Sequence, residues 1–380
     1  MRLPSFHIAT VIYNKTILFL MSSEVIKIGF GETSPLQIIK KCLEECGYLD
    51  DVERGDFVGI KVHVGERGNI THLRPQIARI IVDVLKSKGA RVFLFDCNTL
   101  YRVGRWNSVD HIETANLNGF SYTTVGAPFI VGDGLLGKDE IALKTGFDVV
   151  KVAYVGSIVR DLDYLFVLTH FKLHGLFGYG GAIKNVGMGM ASRRGKLFLH
   201  SEVKPKVLEE KCKGCGDCMV NCPANAITVN KTAKINPEVC IGCGMCVITC
   251  KEGAIKSEWS SARDTAIKTL YYTKAILDKV GRATYLNVLM DITPHCDCFP
   301  TSKLLTVQNI GFLLSKDIVA IDSASYDMVT DAQPLPGLNI SEKGDKAKAL
   351  FEDSADMNEI LEIAEKIGLG SRKYLLKDFE

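Results

Sequence analysis

DFVGIKVHVGERGNITHLRPQIARIIVDVLKSKGARVFLFD, residues 56–96, decides the architecture. Residues 56–64 are apolar and β-branched and read as a buried strand. Pro75 stands where a first helical turn begins, and Ile77, Ile80, Ile81, Val84 and Leu85 follow at helical spacing until Gly89. Residues 91–96 form the next strand. A strand, a helix and a second strand in this order make a βαβ unit, which requires a parallel sheet.

Working outward, residues 163–169 and 285–292 read as further strands, and 262–280, 318–329 and 357–367 as helices, the last ending at Gly368. The expected fold is α/β with a mostly parallel sheet, whose ligands would sit beyond the carboxyl ends of the strands. With 47% hydrophobic and 24% charged residues, the 380-residue chain has ordinary globular composition. Its 46 basic and 44 acidic residues leave a formal charge of +2, so no nucleic-acid partner is expected. Residues 1–20 read as a non-core extension rather than a signal peptide or an anchor, with the compact protein starting near Met21. No membrane association is expected, since a spanning helix needs roughly 20 apolar residues in a row.

Residues 203–257 break this grammar, being poor in periodic apolar runs and dense in Cys, Gly, Asn and Pro. They read as an inserted domain that splits the α/β domain into 21–202 and 258–380. Eight of the thirteen cysteines fall here: Cys212, Cys215, Cys218 and Cys222 recur 28 positions later as Cys240, Cys243, Cys246 and Cys250. Each half is C-x2-C-x2-C-x3-C, the bacterial ferredoxin run, so the insert reads as an α+β ferredoxin-like domain holding two [4Fe–4S] clusters. Gly214, Gly216, Gly242 and Gly244 let the backbone wrap closely and aim its N–H groups at sulfur.

The fourth cysteine of such a run ligates the other cluster. One cluster is therefore expected on Cys212, Cys215, Cys218 and Cys250, the other on Cys240, Cys243, Cys246 and Cys222. Zinc fits two tandem runs of four poorly. Thiolates that must stay free for iron imply a reducing, cytoplasmic compartment. Eight lysines against five acids in 203–257 offset the negative clusters, which favours electron delivery within the chain over free carriage.

Residues 164–201 hold no acid, but carry His170, Lys172, His174, Lys184, Arg193, Arg194, Lys196 and His200 among seven glycines. Glycines and cations after a strand suit a small anion such as phosphate or carboxylate, although a solvated basic loop reads the same way. Lys61, His63, His170, Lys172, Lys184 and Asn185 are the ligand-binding candidates. Asp96, Cys97 and Asn98 close a neighbouring strand. No Walker sequence or dinucleotide fingerprint is present. In His295-Cys296-Asp297-Cys298, the two cysteines read as an extra metal or redox pair, or as small buried hydrophobes. Cys42 and Cys46 read as core residues.

The motifs IKVHVGERGNITHLRP, DCNTLY, THFKxH, GGAIKNVGMGMASRRGK, HCDC and SKDIVAID occur in that order. The chain resembles, from about residue 25 to 369, the family called domain of unknown function 362, in its branch of uncharacterised Fe–S centre proteins with a ferredoxin-type insert. The resemblance implies an α/β domain and two clusters but supplies no reaction. Lys251 after Cys250 departs from the usual Pro. The expected function is iron–sulfur electron transfer with a redox partner protein, as a redox enzyme or electron-input subunit acting on an anionic ligand. A carrier with a docking domain and a metal or Fe–S scaffold are the alternatives.

Overall fold

The computed structural model describes residues 23–101, 103–200, 205–222, 224–240, 245–256, 260–300, 304–340 and 342–379. The expectation for residues 1–20 therefore lies outside the described residues. One eight-stranded sheet organises the chain: β1 (Ser23–Ile28), β2 (Phe57–Lys61), β3 (Arg91–Asp96), β4 (Phe129–Val131), β5 (Tyr164–His170), β6 (Ala283–Leu289), β7 (Gly311–Ser315) and β8 (Tyr374–Asp378). Their spatial order is β8-β1-β7-β6-β5-β2-β3-β4. All pairings are parallel except those of β7, which runs against both β1 and β6. The sheet is thus mostly parallel, with one reversed strand that the sequence reading did not foresee.

The chain moves from β2 outward through β3 to β4, then returns to the other side of β2 as β5 and continues to β6. The direction of winding therefore reverses between β2 and β5, where an open α/β sheet leaves a crevice at its carboxyl edge. Lys61 and His170 are the last residues of those two strands.

Side chains alternate between two cores. Tyr164, Phe166 and Leu168 of β5 join one, with Val58, Ile60, Ile77, Ile81 and Leu85; Leu165 and Val167 join the other. All seven residues of β5 are buried, as a strand covered on both faces should be. The first face is covered by α1 (Pro35–Glu45) and α2 (Pro75–Ser87). The second is covered by α3 (Ala182–Gly187), α4 (Ala262–Val280), α5 (Ile318–Asp331) and α6 (Met357–Lys366). Cys42 is buried in α1, and Cys46 caps that helix.

Local chemistry explains the helix limits. The Ser261 side chain accepts from the Asp264 N–H at the start of α4, and Gly281, at φ +79°, ends it. Asp317 accepts from the N–H groups of Val319 and Ala320 at the start of α5. No helix among the described residues is long and apolar enough to cross a membrane.

Residues 205–256 add no described strand to this sheet. They form two small antiparallel pairs, Lys206–Val207 with Ile255–Lys256 and Ile227–Val229 with Ala233–Ile235, and two short helices, Asp217–Val220 and Met245–Thr249. Cys218, Ile227, Ala233, Cys246 and Ile255 make a small hydrophobic cluster of their own. Two pairs within it, Cys218 with Cys246 and Ile227 with Ile255, stand 28 positions apart, so the sequence repeat is also a packing repeat.

Candidate functional site

The crevice at the carboxyl edge is built from buried charges. Lys61 at the tip of β2 is fully buried, and its ammonium lies 2.9 Å from Asp96 Oδ1 at the tip of β3. It also donates to Asn185 Oδ1 at 2.7 Å. Asn185 in turn donates from Nδ2 to the Leu168 carbonyl and to Thr169 Oγ1, both at 3.0 Å, which ties α3 to β5. A Cβ at Gly189 would stand 2.1 Å from the Asn185 carbonyl and 2.8 Å from Lys61 Nζ, so this close approach needs glycine. The far end of Asp96 meets Arg105, which also reaches Glu66 at 3.4 Å and donates to Tyr101 Oη at 2.6 Å. Burial alone would raise the Asp96 pKa, but the charge of Lys61, and then His111 at 3.7 Å, hold it well below the usual carboxylate range.

A second buried group centres on Asp297. Its Oδ2 lies 2.9 Å from Lys172 Nζ and 2.9 Å from His170 Nδ1. His170 Nε2 faces the Met290 carbonyl at 2.8 Å. A carbonyl and a carboxylate can only accept, so both ring nitrogens donate. Burial would raise the Asp297 pKa, yet His170 and Lys172 together hold it below the ordinary range. Asp322, from α5, accepts from the Ala182 and Ile183 N–H groups at 2.8 and 2.9 Å and so fixes the start of α3; burial pushes its pKa up to about 6.

The six ligand candidates therefore divide. Lys61, Asn185, His170 and Lys172 are engaged with internal partners. The Lys184 ammonium makes no hydrogen bond or ion pair among the described residues and sits 5.9 Å from the Phe177 ring centroid. The stretch 164–201 carries no acid, but Asp297, from the loop after β6, and Asp322, from α5, reach it.

His63 belongs to a third group. Its Nε2 lies 3.3 Å from Cys298 Sγ, and Cys298 Sγ lies 2.8 Å from Cys296 Sγ. The ligand atoms of His63, Cys296 and Cys298 all lie within 4.8 Å of one another, compact enough to hold a metal ion. Against that use, the Gly65 backbone N–H donates to His63 Nδ1 at 3.1 Å, which places the ring proton of the neutral form on Nε2, facing sulfur. Burial and the charge of Arg105 push the His63 pKa down to about 4, so the ring is neutral at pH 7. Arg105 and Tyr101 went unnoticed as site residues in the sequence because neither stands at the tip of a predicted strand.

In residues 205–256, Cys212, Cys215 and Cys218 line one pocket together with Cys250 from the second repeat. Gly214 and Gly216 in its wall have φ of +66° and +85°, which side-chain-bearing residues rarely adopt. Backbone N–H groups of Ala233, Ala226 and Ala254 point at the sulfurs of Cys212, Cys222 and Cys250, each at 3.3 Å. The last two contacts are the same contact repeated 28 positions on. Cys218 and Cys246 are buried, and Cys222 and Cys240 are half-buried. Cys243 lies outside the described residues, as do Gly242 and Gly244. Four thiols around one space, with N–H donors on sulfur, fit an iron–sulfur cluster in the first site.

Sheet order and buried ion pairs define an α/β protein with charged side chains gathered at its winding reversal. Residues 58–327 match the family described as Domain of unknown function (DUF362), and the chain belongs to that family. No curated protein matches it. Among solved structures it is similar to the lactate racemase apoprotein from Thermoanaerobacterium thermosaccharolyticum, at 15% identity and a TM-score of 0.39, over 72% of this chain and 52% of that one. A protein from Thermotoga maritima is similar at 15% identity and a TM-score of 0.37, over 68% of this chain and 52% of the other. This chain thus spans about half the length of either structure.

Proposed function

We propose that the protein is an iron–sulfur electron-transfer protein, in which residues 203–257 form a ferredoxin-like insert with two [4Fe–4S] clusters. The clusters would supply one-electron transfer. The observation that carries this reading is the pocket shared by Cys212, Cys215 and Cys218 with Cys250, a cysteine from the opposite repeat. Cys240, Cys243, Cys246 and Cys222 are the proposed ligands of the second cluster.

The α/β domain, 21–202 with 258–380, is the proposed receiving end. Its crevice holds an anionic ligand, and Lys184 is the ammonium left to meet it. Lys61, Asn185, His170 and Lys172 set the walls through their internal pairs, which hold the walls in shape without a ligand. A lysine–asparagine contact, Lys138 Nζ to Asn221 Oδ1 at 3.1 Å, joins the α/β domain to the residue beside Cys222 and supports transfer within one chain. A redox partner protein would feed the insert, in a reducing cytoplasm where thiolates stay available to iron.

Reductive titration of anaerobically prepared full chain tests this. The expected result is uptake of two one-electron equivalents per chain with bleaching of the visible absorbance and an electron paramagnetic signal. A preparation fully loaded with iron that takes up no electrons would defeat the proposal.

A further inference from the structure

We infer that Cys298 and Cys296 form a redox dithiol that exchanges with a small disulfide, Cys298 attacking, Cys296 resolving, and His63 holding the Cys298 sulfur through a hydrogen bond from its Nε2–H. This goes beyond the electron-transfer reading and stands whether or not residues 203–257 carry iron.

Three observations carry it. The two sulfurs are 2.8 Å apart, and a disulfide needs about 2.05 Å, so closing the bond takes a movement of under an ångström. Cys298 is partly exposed while Cys296 is buried, the arrangement that lets an outside disulfide reach one sulfur and leaves the other to resolve. The Gly65 N–H on Nδ1 fixes the His63 tautomer, so the ring presents a donor to Cys298 rather than a lone pair to a metal.

Charge agrees with these roles. The hydrogen bond from Cys296, and then His63 and Arg105, hold the Cys298 thiol well below its usual range against the opposing effect of burial. The same sulfur–sulfur bond and burial push Cys296 well above it. Both effects favour ionisation at Cys298 over Cys296, and Cys298 is the more exposed of the two.

The exchange balances without another reactant. The Cys298 thiolate attacks one sulfur of the small disulfide, forming a mixed disulfide and releasing one thiolate. Cys296 then loses its proton and attacks Cys298 Sγ, which expels the second thiol. The small disulfide is reduced by two electrons, and the cysteine pair is oxidised by two.

The residues from Ala283 to Lys303 form one tryptic peptide that contains Cys296, Cys298 and no other cysteine, so the insert cannot confuse the reading. Full chain is treated anaerobically with oxidised glutathione, quenched in acid, digested and mapped by mass. In the unaltered protein this peptide should lose two hydrogens. In Cys296→Ser it should carry one glutathionyl group on Cys298, and in Cys298→Ser it should remain unmodified. His63→Ala should move the pH dependence of adduct formation on Cys298 to higher pH, since loss of the hydrogen bond from Nε2–H raises the thiol's pKa. An unmodified peptide in the unaltered protein would overturn the assignment. So would an adduct on Cys296 in Cys298→Ser, or one metal ion per chain that Cys298→Ser alone removes.

Discussion

Asp297→Asn should destabilise the α/β domain by about 3–5 kcal/mol, the usual cost of removing one member of a buried ion pair. Asp297 is fully buried, and Lys172 and His170 beside it are almost so. The amide keeps the shape but not the charge, which leaves the buried Lys172 ammonium without a counter-ion. Urea unfolding followed by tryptophan and tyrosine fluorescence should show the midpoint fall. The pH dependence has a definite sign. In the folded protein Asp297 stays ionised below the pKa of about 3.9 that it has when unfolded. Its contribution is therefore full above about pH 4 and fades as acid approaches the folded value. The asparagine variant should lack that acid-side loss and show the deficit at neutral pH. A change of under about 1 kcal/mol at pH 7 would mean that the three groups are not the coupled unit described.

The second large effect concerns how the cysteines are shared. If each cubane takes its last sulfur from the opposite repeat, Cys212→Ala with Cys250→Ala removes two ligands of the same cluster. That double variant should keep about four irons of eight. Cys212→Ala with Cys222→Ala removes one ligand from each cluster and should keep close to none. Without the exchange the two double variants would trade results. The comparison reads iron per chain in proteins with equal numbers of substitutions, so a general loss of stability does not mimic it.

Much of this architecture was legible because its signals are local. Ser261 and Gly281 bracket the helix Ala262–Val280, which the sequence placed residue for residue. Arg91–Asp96 was legible for the same reason, an apolar run between a glycine-ended helix and a polar tip. The reversed strand Gly311–Ser315 was not, because Phe-Leu-Leu between a glycine and a serine is too short a run to stand out and carries no sign of its direction. Nor was the edge pairing of Ser23–Ile28 with Tyr374–Asp378, whose partners lie at opposite ends of the chain.

The crevice was half legible. Its basic wall could be read from the acid-poor stretch 164–201. Its internal pairings could not, because His170 and Asp297 meet across 127 positions and Lys61 and Asn185 across 124. Pairing across such distances is a property of the folded sheet. It engages Lys61, His170 and Lys172, and leaves the Lys184 ammonium without a hydrogen bond or ion pair among the described residues. The cysteine pair of HCDC was visible as a pair, but the histidine that completes it stands on a different strand tip, and its tautomer is set by a backbone N–H.

The account rests on two four-iron clusters in one short insert. Iron, acid-labile sulfide and zinc counted together in anaerobically prepared, reconstituted full chain test it most directly. About eight irons and eight sulfides per chain are expected, with no stoichiometric zinc. Four irons or fewer with all eight cysteines intact, or zinc in their place, would contradict it.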